Sequence, residues 1–314
     1  PGGVSVTTRA RVPLEDRNMN ADSTQHCTYY RLSDALEGVI GWLSNPLPPT
    51  VSTGLSDLDS MLQGGLPLGK VSAVAGRPGM GRSEFAQHVA FNTAKQGFGV
   101  LYFSLDQSKN VIALRKLTEL FDVNLYWLRS RDNQAGVLEM LNKFTPELAA
   151  LSELPIFIDD TPTLKPEELQ DRIIAMCRLP DFHRNRFKLL VVDSLFSICR
   201  NLSNSADFIE QTMMMLVEMA RSENIHILCT IPVLKQVEKR KSHQPRLFDL
   251  WGEGMIERYC DPILALYRDS YYYRPSETEE SDLAHILILK NSMPGVTGAV
   301  IASFSMGRFG PASL

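Results

Sequence analysis

Cysteine is scarce and scattered in this 314-residue sequence. The five cysteines are Cys27, Cys177, Cys199, Cys229 and Cys260, and no two of them form a C-x-x-C spacing. Their odd number and wide spacing argue against a disulfide framework or a cysteine zinc site and favour reduced thiols in a cytoplasm. Because Cys199 and Cys229 lie in or beside apolar runs, we expect both to fill the core as small hydrophobic side chains.

Long apolar runs and an excess of basic residues are also missing. No uninterrupted apolar stretch reaches about 18 residues, and the first residues lack the basic-then-apolar pattern of a signal peptide. These absences predict a cytoplasmic chain with no membrane partner. The formal net charge is -4, so we expect any contact with nucleic acid to come from a local basic patch.

The chain is expected to have three parts. Its 44% hydrophobic and 22% charged residues are typical of a globular chain with one large core. Residues 1–29 are polar and aperiodic, which predicts a flexible N-terminal segment. Within residues 30–50, apolar side chains recur at helical spacing from Leu32 to Leu43 and three prolines follow, which predicts a linker helix and a tether. The helix either packs on its own domain or docks on a neighbouring subunit, and residues 51–314 form the predicted main domain.

Short apolar runs alternate with longer amphipathic stretches after Thr53. The predicted strands are 71–75, 100–104, 156–158, 189–192, 225–229, 263–266 and 286–289. The predicted helices are 84–96, 109–121, 166–176 and 208–222. This alternation predicts an α/β fold with a mainly parallel central sheet flanked by helices on both sides. The strands after about His285 leave no room for a helix between them, so we expect antiparallel edge strands at the C-terminal end.

A glycine-rich loop joins the first long strand to the helix that follows it, in the sequence VSAVAGRPGMGRS at residues 71–83. Gly76, Gly79 and Gly81 let successive backbone N–H groups turn toward one anion, and the helix N-terminus adds its positive dipole end. The spacing matches the phosphate-binding motif G-x-x-x-x-G-K-[ST], except that Arg82 stands at the lysine position. Ser83 then supplies a hydroxyl to Mg²⁺. The alternative is a glycine-rich turn without a ligand.

Arg82 and Asp193 determine what such a loop can do. A guanidinium is bulkier and flatter than the ammonium it replaces, so nucleotide binding can persist where hydrolysis falters. Asp193 ends the apolar run FKLLVVD. At the carboxyl edge of the sheet, its carboxylate is expected to face the phosphates and to hold Mg²⁺ through water.

Five stretches of the chain follow one another in a recognisable order and spacing. They are TGLSDLDSMLQGGLPLGKVSAVAGRPGMGRSEFAQHVAFNTA, VLYFSLDQS, LPIFIDDTPTLKPEELQDR, LLVVDSL and ILALYRD. Together they resemble the DnaB family of replicative helicases, from about Tyr30 to Phe309. The resemblance implies a RecA-like P-loop NTPase that forms a hexameric ring, binds ATP and Mg²⁺ between subunits and moves 5′ to 3′ on single-stranded DNA. It also implies replisome partners such as a helicase loader, and it favours docking of the linker helix on a neighbour. We expect no counterpart of the family's N-terminal collar domain in these residues.

The resemblance assigns the catalytic residues position by position. The P-loop cation falls on Arg82, the Mg²⁺ hydroxyl on Ser83 and the Walker B carboxylate on Asp193. The family's catalytic glutamate falls on Asp106, whose side chain is one methylene shorter. It would therefore hold the attacking water about 1 Å from its best place.

Other positions depart from the family's pattern. The sensor glutamine falls on Pro232, which has no side-chain hydrogen bond to offer a phosphate. In the late K-x-R pair, Lys290 keeps the nucleotide-binding lysine, whereas Ser292 replaces the arginine finger that reaches a neighbour's site. An arginine finger contributes roughly 10³ to 10⁵ in rate, so the sequence predicts weakened hydrolysis.

A basic tract marks the predicted DNA-binding loop between two strands. Its basic residues are Lys235, Lys239, Arg240, Lys241, His243 and Arg246. The resemblance places this loop at the central pore, where Lys239, Arg240 and Lys241 bind DNA phosphates and Trp251 stacks on a base, in a turn that ends at Gly254. The alternative is a solvated charge run. A further run, residues 271–273, consists of three tyrosines and predicts surface or interface packing.

Three hypotheses remain at this point. The first is a DnaB-like helicase motor, an ATP-dependent enzyme with slow hydrolysis. The second is a degenerate paralogue that binds nucleotide weakly and acts as a structural or regulatory partner of a helicase or of a loader. The third is a RecA-like recombinase, which the SLDQS and YRD stretches fit less well.

Overall fold

The computed structural model describes residues 31–33, 36–37, 39–40, 50–178, 186–200, 206–273, 283–292 and 295–312. The chain divides into two compact units, Pro1–Pro46 and Leu47–Leu314. In the first unit, each described position from Leu32 to Ile40 is helical, as the apolar spacing predicts. The predicted flexible segment 1–29 lies outside the described residues.

A mainly parallel sheet forms the centre of the second unit. Its described strands are β3 (Val71–Gly76), β4 (Gly99–Ser104), β5 (Ile156–Asp159), β6 (Phe187–Asp193), β7 (His226–Pro232), β8 (Ile263–Tyr267), β9 (Leu283–Lys290), β10 (Gly298–Ser305) and β11 (Arg308–Pro311), whereas β1 (Thr50–Val51) and β2 (Leu66–Pro67) pair separately. The order across the sheet is β11-β10-β9-β8-β3-β7-β6-β4-β5. The strands from β8 to β5 run parallel, and β9, β10 and β11 are joined by antiparallel pairing. The predicted fold class is therefore confirmed, including its antiparallel C-terminal edge.

Helices occupy the connections between successive parallel strands. They are α1 (Ser56–Met61), α2 (Arg82–Lys95), α3 (Lys109–Phe121), α4 (Leu125–Arg129), α5 (Gln134–Lys143), α6 (Thr145–Ser152), α7 (Pro166–Cys177), α8 (Leu195–Arg200), α9 (Ala206–Glu223), α10 (Met255–Tyr259) and α11 (Asp269–Tyr272). Helix α1 lies between β1 and β2, and α11 lies between β8 and β9. Two short 3₁₀ helices, Lys235–Lys239 and Leu247–Asp249, lie between β7 and β8.

Strand β3 shows that both faces of the sheet are covered. All of its residues are buried. Ala73 and Ala75 belong to the core on one face with Leu216 of α9, whereas Val74 belongs to the core on the other face with Val89 of α2. A strand that is buried on both faces appears in the sequence as a continuous apolar run, which is why the run at 71–75 predicts it correctly.

The buried cysteines are confirmed as core residues. Cys199 and Cys229 are both 0% exposed, and both are free thiols. Burial raises the pKa of Cys199 to about 12, so this thiol stays protonated at neutral pH. Within the described part of the chain, none of the helices combines the length and the apolar character that a membrane span needs.

Candidate functional site

Four neighbouring strands bring the predicted nucleotide residues to one edge of the sheet. Gly76 at the end of β3 pairs with Pro232 at the end of β7. Ser104 at the end of β4 pairs with Asp193 at the end of β6, and β6 is the neighbour of β7. Because parallel strands end at the same edge, the glycine loop after β3 and the Asp193 carboxylate lie together there.

The loop from Gly76 to Gly81 has the backbone that a phosphate-binding loop requires. Gly79 and Gly81 have φ angles of 82° and 94°, in the left-handed region that other residues rarely adopt. Gly81 is the N-cap of α2. The N–H groups of the first turn of α2 have no partner within the helix, so they are available to an anion at this edge.

Three hydroxyl groups converge on the carboxylate of Asp193, which is 3% exposed. Ser83 Oγ and Thr230 Oγ1 donate to its Oδ1 over 3.1 and 2.6 Å, and Tyr102 Oη donates to its Oδ2 over 2.8 Å. Burial raises the pKa of Asp193, and the three hydrogen bonds oppose that rise. Neither Thr230 nor Tyr102 is predicted from the sequence, because only the order of the strands brings them to Asp193.

Ser83 and Asp193 form an oxygen pair that suits Mg²⁺. Hard oxygen ligands are those that Mg²⁺ prefers, and it usually keeps several water and phosphate oxygens besides. The described residues contain no group of three or more His, Cys, Asp and Glu side chains able to hold a metal. An oxygen pair that leaves room for water and phosphate ligands fits a Mg²⁺ ion that arrives with a nucleotide.

Arg82 lies across the glycine loop. A Cβ built on Gly76 would be 3.1 Å from Cγ and 3.4 Å from Cδ of Arg82. Burial lowers the pKa of this guanidinium, and the nearby charges of Asp193 and Asp106 act in the opposite direction. The positive charge thus lies among the residues of the candidate site, where the motif has its lysine.

Asp106 is held by two serines. Ser197 Oγ donates to its Oδ1 over 2.7 Å, and Ser194 Oγ donates to its Oδ2 over 3.1 Å. The two serine oxygens are 2.9 Å apart. Asp106 follows β4 and the serines follow β6, so the structure brings this exposed carboxylate to the same sheet edge as Asp193 and fixes its direction. Neither serine is predicted from the sequence.

Lys290 lies at the opposite edge of the sheet. It pairs with Ile263, the first residue of β8, whereas the glycine loop follows the last residue of the parallel strand β3. Its Nζ donates to the backbone carbonyls of Glu257 and Cys260 over 2.8 and 3.0 Å. Lys290 therefore lies away from the glycine loop of its own chain, and its cofactor role stays a prediction that requires a nucleotide bound to another copy.

Part of the basic tract is structural. Arg240 donates through Nη1 and Nη2 to both carboxylate oxygens of Asp249, over 2.8 and 2.6 Å, and Asp249 is 0% exposed. Arg240 thus has a structural role, since removing this cation would leave a buried carboxylate unpaired, and its contact with DNA stays a prediction. Lys239 and Lys241 are exposed.

Trp251 does not present its ring to solvent. It is 7% exposed and packs edge-to-face on Phe196, with ring centroids 5.4 Å apart. The structure therefore contradicts the expectation that Trp251 stacks on a base. Phe248 is the exposed aromatic residue of this region, at 62%, and the sequence does not predict it. Gly254 is exposed and has a φ of 84° as the N-cap of α10, so it serves the turn.

Comparison with known proteins assigns the chain to a family. A family model described as DnaB-like helicase C terminal domain matches residues 50–309, which is most of the sequence. This chain belongs to that family. The DnaB-like domain is 32% identical over 265 residues to a probable replicative DNA helicase of Trieres chinensis, covering 83% of this chain and 56% of that protein. It is 30% identical over 282 residues to the replicative DNA helicase DnaB of Rickettsia typhi, covering 84% and 54%. The chain thus spans about half the length of the curated relatives it matches.

Solved structures agree with the fold of the DnaB-like domain. One of them, described as an ATPase domain, has a TM-score of 0.80 at 23% identity, with 91% of this chain and 100% of that chain covered. A DnaB-like replicative helicase, solved to show its interactions with primase, has a TM-score of 0.77 at 23% identity, with 91% and 68% covered. At this identity the likeness supports the fold alone.

One residue of the glycine loop connects it to the basic tract of the DnaB-like domain. Arg77 donates through Nε to Oε1 of Glu238 over 2.8 Å and through Nη1 to the carbonyl of Val233 over 2.9 Å. Pro232 precedes Val233 and offers no side-chain donor. The end of β7 therefore contacts the glycine loop through the backbone bond from Val233 N to the Gly76 carbonyl and through a side chain of the loop, Arg77, which the sequence motif leaves unspecified.

Proposed function

We propose that this DnaB-like domain is the motor of a replicative helicase, which binds ATP with Mg²⁺ and single-stranded DNA in a hexameric ring. The observation that carries the proposal is the glycine loop ending at Ser83, whose hydroxyl is 3.1 Å from the Asp193 carboxylate at the carboxyl edge of the sheet. Anion-binding amides beside a Mg²⁺ oxygen pair are what a Mg²⁺–nucleotide complex requires. The relatives are replicative helicases by name, which supports a cytoplasmic role beside a loader or other replisome proteins.

Each residue of the candidate site has a separate role in binding Mg²⁺ and ATP in this proposal. Bound ATP and Mg²⁺ supply the phosphoanhydride and the charge that neutralises its oxygens. The amides of the loop bind the phosphates, Arg82 places its charge beside them, and Ser83 with Asp193 holds the cation. Because Thr230 and Tyr102 already fix the carboxylate of Asp193, little reorganisation is needed when the complex binds.

Asp106 orients the attacking water in this proposal. Its carboxylate is exposed at the same edge, and its direction is fixed by Ser194 and Ser197. These hydrogen bonds also occupy lone pairs that would otherwise accept from a water molecule. Together with the short side chain, they give a physical reason to expect slow hydrolysis.

A ring supplies the part of the site that one chain lacks. Lys290 and Ser292 lie at the edge opposite the glycine loop, so they reach only a nucleotide that is bound to a neighbouring copy. A head-to-tail arrangement of copies brings these two edges together and closes into a ring when the rotation allows it. Ser292 then faces the neighbour's phosphates without a positive charge, which is a second reason to expect slow hydrolysis.

The DNA contact rests on the exposed part of the basic tract. Lys239 and Lys241 are exposed and bind phosphates, so the affinity falls as salt rises. Phe248 lies between two arginines, with its ring centroid 5.3 Å from Cζ of Arg240 and 5.9 Å from Cζ of Arg246. Its exposed face offers a stacking surface for a base in place of Trp251.

The second candidate function is the degenerate paralogue. The observation in its favour is the combination of Arg82 across the loop, the serine-held Asp106 and the uncharged Ser292. Each of these weakens hydrolysis more than binding. Such a chain would contribute a subunit or a docking platform, and its own turnover would be dispensable.

Calorimetry with Mg²⁺ and a non-hydrolysable ATP analogue tests the binding site. We expect Ser83→Ala to weaken binding of the analogue by about 10-fold with Mg²⁺ and little without it, since one hydrogen bond or ligand to a charged group contributes roughly 1.5–3 kcal/mol. Ser152→Ala, which changes an exposed serine at the end of α6, is the matched control. Equal losses with and without Mg²⁺ would exclude the assigned role of Ser83, and the absence of any binding by the unchanged chain would refute the proposed function.

Single-turnover hydrolysis with and without single-stranded DNA separates the two candidates. A DNA-stimulated rate supports the motor, whereas a rate near the uncatalysed level supports the paralogue. If the chain still binds nucleotide and only its hydrolysis is impaired, Arg82→Lys combined with Ser292→Arg should restore hydrolysis. Arg129→Lys, which changes an exposed residue of α4, is the control and should not change the rate.

A further inference from the structure

The three tyrosines at 271–273 contact two different functional segments. Tyr271 lies against the glycine loop, because a Cβ built on Gly79 would be 2.9 Å from its Cε2. In the same segment, Arg268 Nη1 donates to the carbonyl of Gly79 over 3.2 Å. Gly79 is one of the residues with a left-handed backbone conformation that give the loop its shape. Tyr271 and Arg268 therefore contact the part of the loop that must fit the phosphates.

The next two tyrosines contact the basic loop, which we define as residues 235–246. Tyr272 Oη donates to Oε1 of Glu238 over 3.1 Å, and its ring stacks on His243 with centroids 4.3 Å apart and planes at 14°. Tyr273 Oη donates to the backbone carbonyl of Lys241 over 3.0 Å. These contacts lie within the tract that carries the exposed lysines.

A shared carboxylate oxygen closes the network. Oε1 of Glu238 accepts from Tyr272 and also from Nε of Arg77, a glycine-loop residue, over 2.8 Å. If the glycine loop moves, the basic loop is therefore displaced through two sets of contacts. One set is made by Arg77 and the other by the tyrosine segment. At the end of β7, Pro232 has no side chain able to transmit such a change by a hydrogen bond.

We propose that Arg268–Tyr273 is a positioning element that couples phosphate binding at the glycine loop to the conformation of the basic loop, with Tyr272 and Tyr273 as its contacts on the DNA side. The inference rests on the proposed function, since it assigns nucleotide to one loop and single-stranded DNA to the other. Phosphates that bind the loop amides favour one arrangement of Gly79 and Arg77. The network then favours one arrangement of Lys239 and Lys241, which is the differential contact that coupling between two sites requires.

The test measures coupling and not affinity alone. The affinity of the full chain for fluorescently labelled oligo(dT) is measured with and without a non-hydrolysable ATP analogue and Mg²⁺, and the affinity for the analogue is measured with and without oligo(dT). The first ratio is the affinity for oligo(dT) with the analogue divided by the affinity without it, and the second is the corresponding ratio for the analogue. The two must agree because coupling between binding sites is reciprocal, and we expect a ratio of about 5-fold or more. In the double variant Tyr272→Phe with Tyr273→Phe, which keeps both rings, the ratio should fall below about 2-fold.

A second variant and a matched control make the result specific. Glu238→Leu removes both acceptor oxygens, so it cuts the same network from the basic-loop side and should reduce the ratio in the same way. Tyr126→Phe, which changes a tyrosine of α4 that is 85% exposed, should keep the ratio of the unchanged chain. A general loss of stability would lower both affinities and the melting temperature without abolishing the ratio.

The possible outcomes separate the inference from the function on which it rests. If the chain binds both ligands and the ratio is near one, the coupling is refuted and the proposed function stands. An undiminished ratio in both variants likewise overturns the role of the tyrosines. If the unchanged chain binds no nucleotide at all, the proposed function fails and the coupling fails with it.

Discussion

A single methylene separates Asp106 from the glutamate that the family resemblance places at this position. The structure adds a second difference, because the hydroxyls of Ser194 and Ser197 occupy acceptor positions of the carboxylate that a water molecule would otherwise use. Because the Asp106 side chain is the shorter one, a water molecule bound to it would also lie farther from the phosphates than one bound to a glutamate. A displacement of about 1 Å can lower a rate by about 10²-fold.

We expect Asp106→Glu to raise the single-turnover hydrolysis rate by about 10-fold to about 10²-fold. Asp106 is exposed, so the longer side chain can enter without displacing the core. Asp106→Asn serves as the comparison and should lower the rate, because an amide is a weaker acceptor for the proton of the water. A rate in Asp106→Glu equal to or below that of the unchanged chain would show that the limiting defect lies elsewhere, with Arg82 or Ser292 as the next residues to test.

At the scale of the elements, periodicity predicts the buried strands and the long helices well. The helix predicted at 109–121 has the bounds of α3, and the strand predicted at 71–75 differs from β3 by one residue. The sequence does not predict the helices α4, α5 and α6, and the structure shows that they contain no buried residue. A helix without a buried face leaves little apolar periodicity in the sequence.

The residues of the candidate site are likewise predictable from the sequence only in part. The glycine loop and Asp193 are predictable because each is a local pattern, a loop between strand and helix or a carboxylate after an apolar run. The hydroxyls of Tyr102 and Thr230 lie on other strands, and their approach to Asp193 depends on the strand order, which spacing along the chain does not encode. For the same reason, the basic tract gives no sign that Arg240 is paired with the buried carboxylate of Asp249.

Strand β7 carries a buried histidine that makes the sheet sensitive to acid. His226 is 0% exposed, and its Nδ1 donates to the carbonyl of Pro67 over 2.8 Å. Its Nε2 lies 2.7 Å from Ser72 Oγ on β3 and accepts from that hydroxyl when the ring is neutral. Burial lowers the pKa of His226 to about 4, whereas the ordinary value is 6.5.

We expect the free energy of unfolding to fall as the pH is lowered from about 6.5 to about 4. In this range the unfolded chain binds a proton that folded His226 does not, and a difference of about 2.5 pKa units corresponds to about 3 kcal/mol. His226→Gln keeps a donor for Pro67 and does not titrate, so its stability should fall less steeply with acid, as measured by urea unfolding at several pH values. His88, whose pKa burial also lowers to about 4, retains part of the slope. An identical slope in both proteins would contradict this account of His226.

At the scale of the whole molecule, the residues of the proposed nucleotide site are divided between the two edges of the sheet. The carboxyl edge holds the glycine loop, Ser83 and Asp193, and the opposite edge holds Lys290 and Ser292. Within one chain these halves are separated by the length of the strands. In the function proposed above, copies associate head to tail, so that each nucleotide is bound between two chains.

Mixing two forms of the chain tests this arrangement directly. A double variant with Asp193→Asn and Ser292→Arg cannot hold Mg²⁺ on its own nucleotide, yet it offers an arginine to its neighbour. Added to the unchanged chain, it should raise hydrolysis per unchanged subunit by about 10-fold or more, since a finger supplied in trans contributes up to roughly 10³ to 10⁵. Asp193→Asn alone, added in the same ratio, should give no such rise.

If the double variant behaves like this control while mixed assemblies form, as mass photometry can show, residue 292 does not face a neighbour's phosphates. A rise that appears only with the double variant places the arginine at the site of the adjacent chain, because the altered chain cannot hydrolyse the nucleotide that it binds itself.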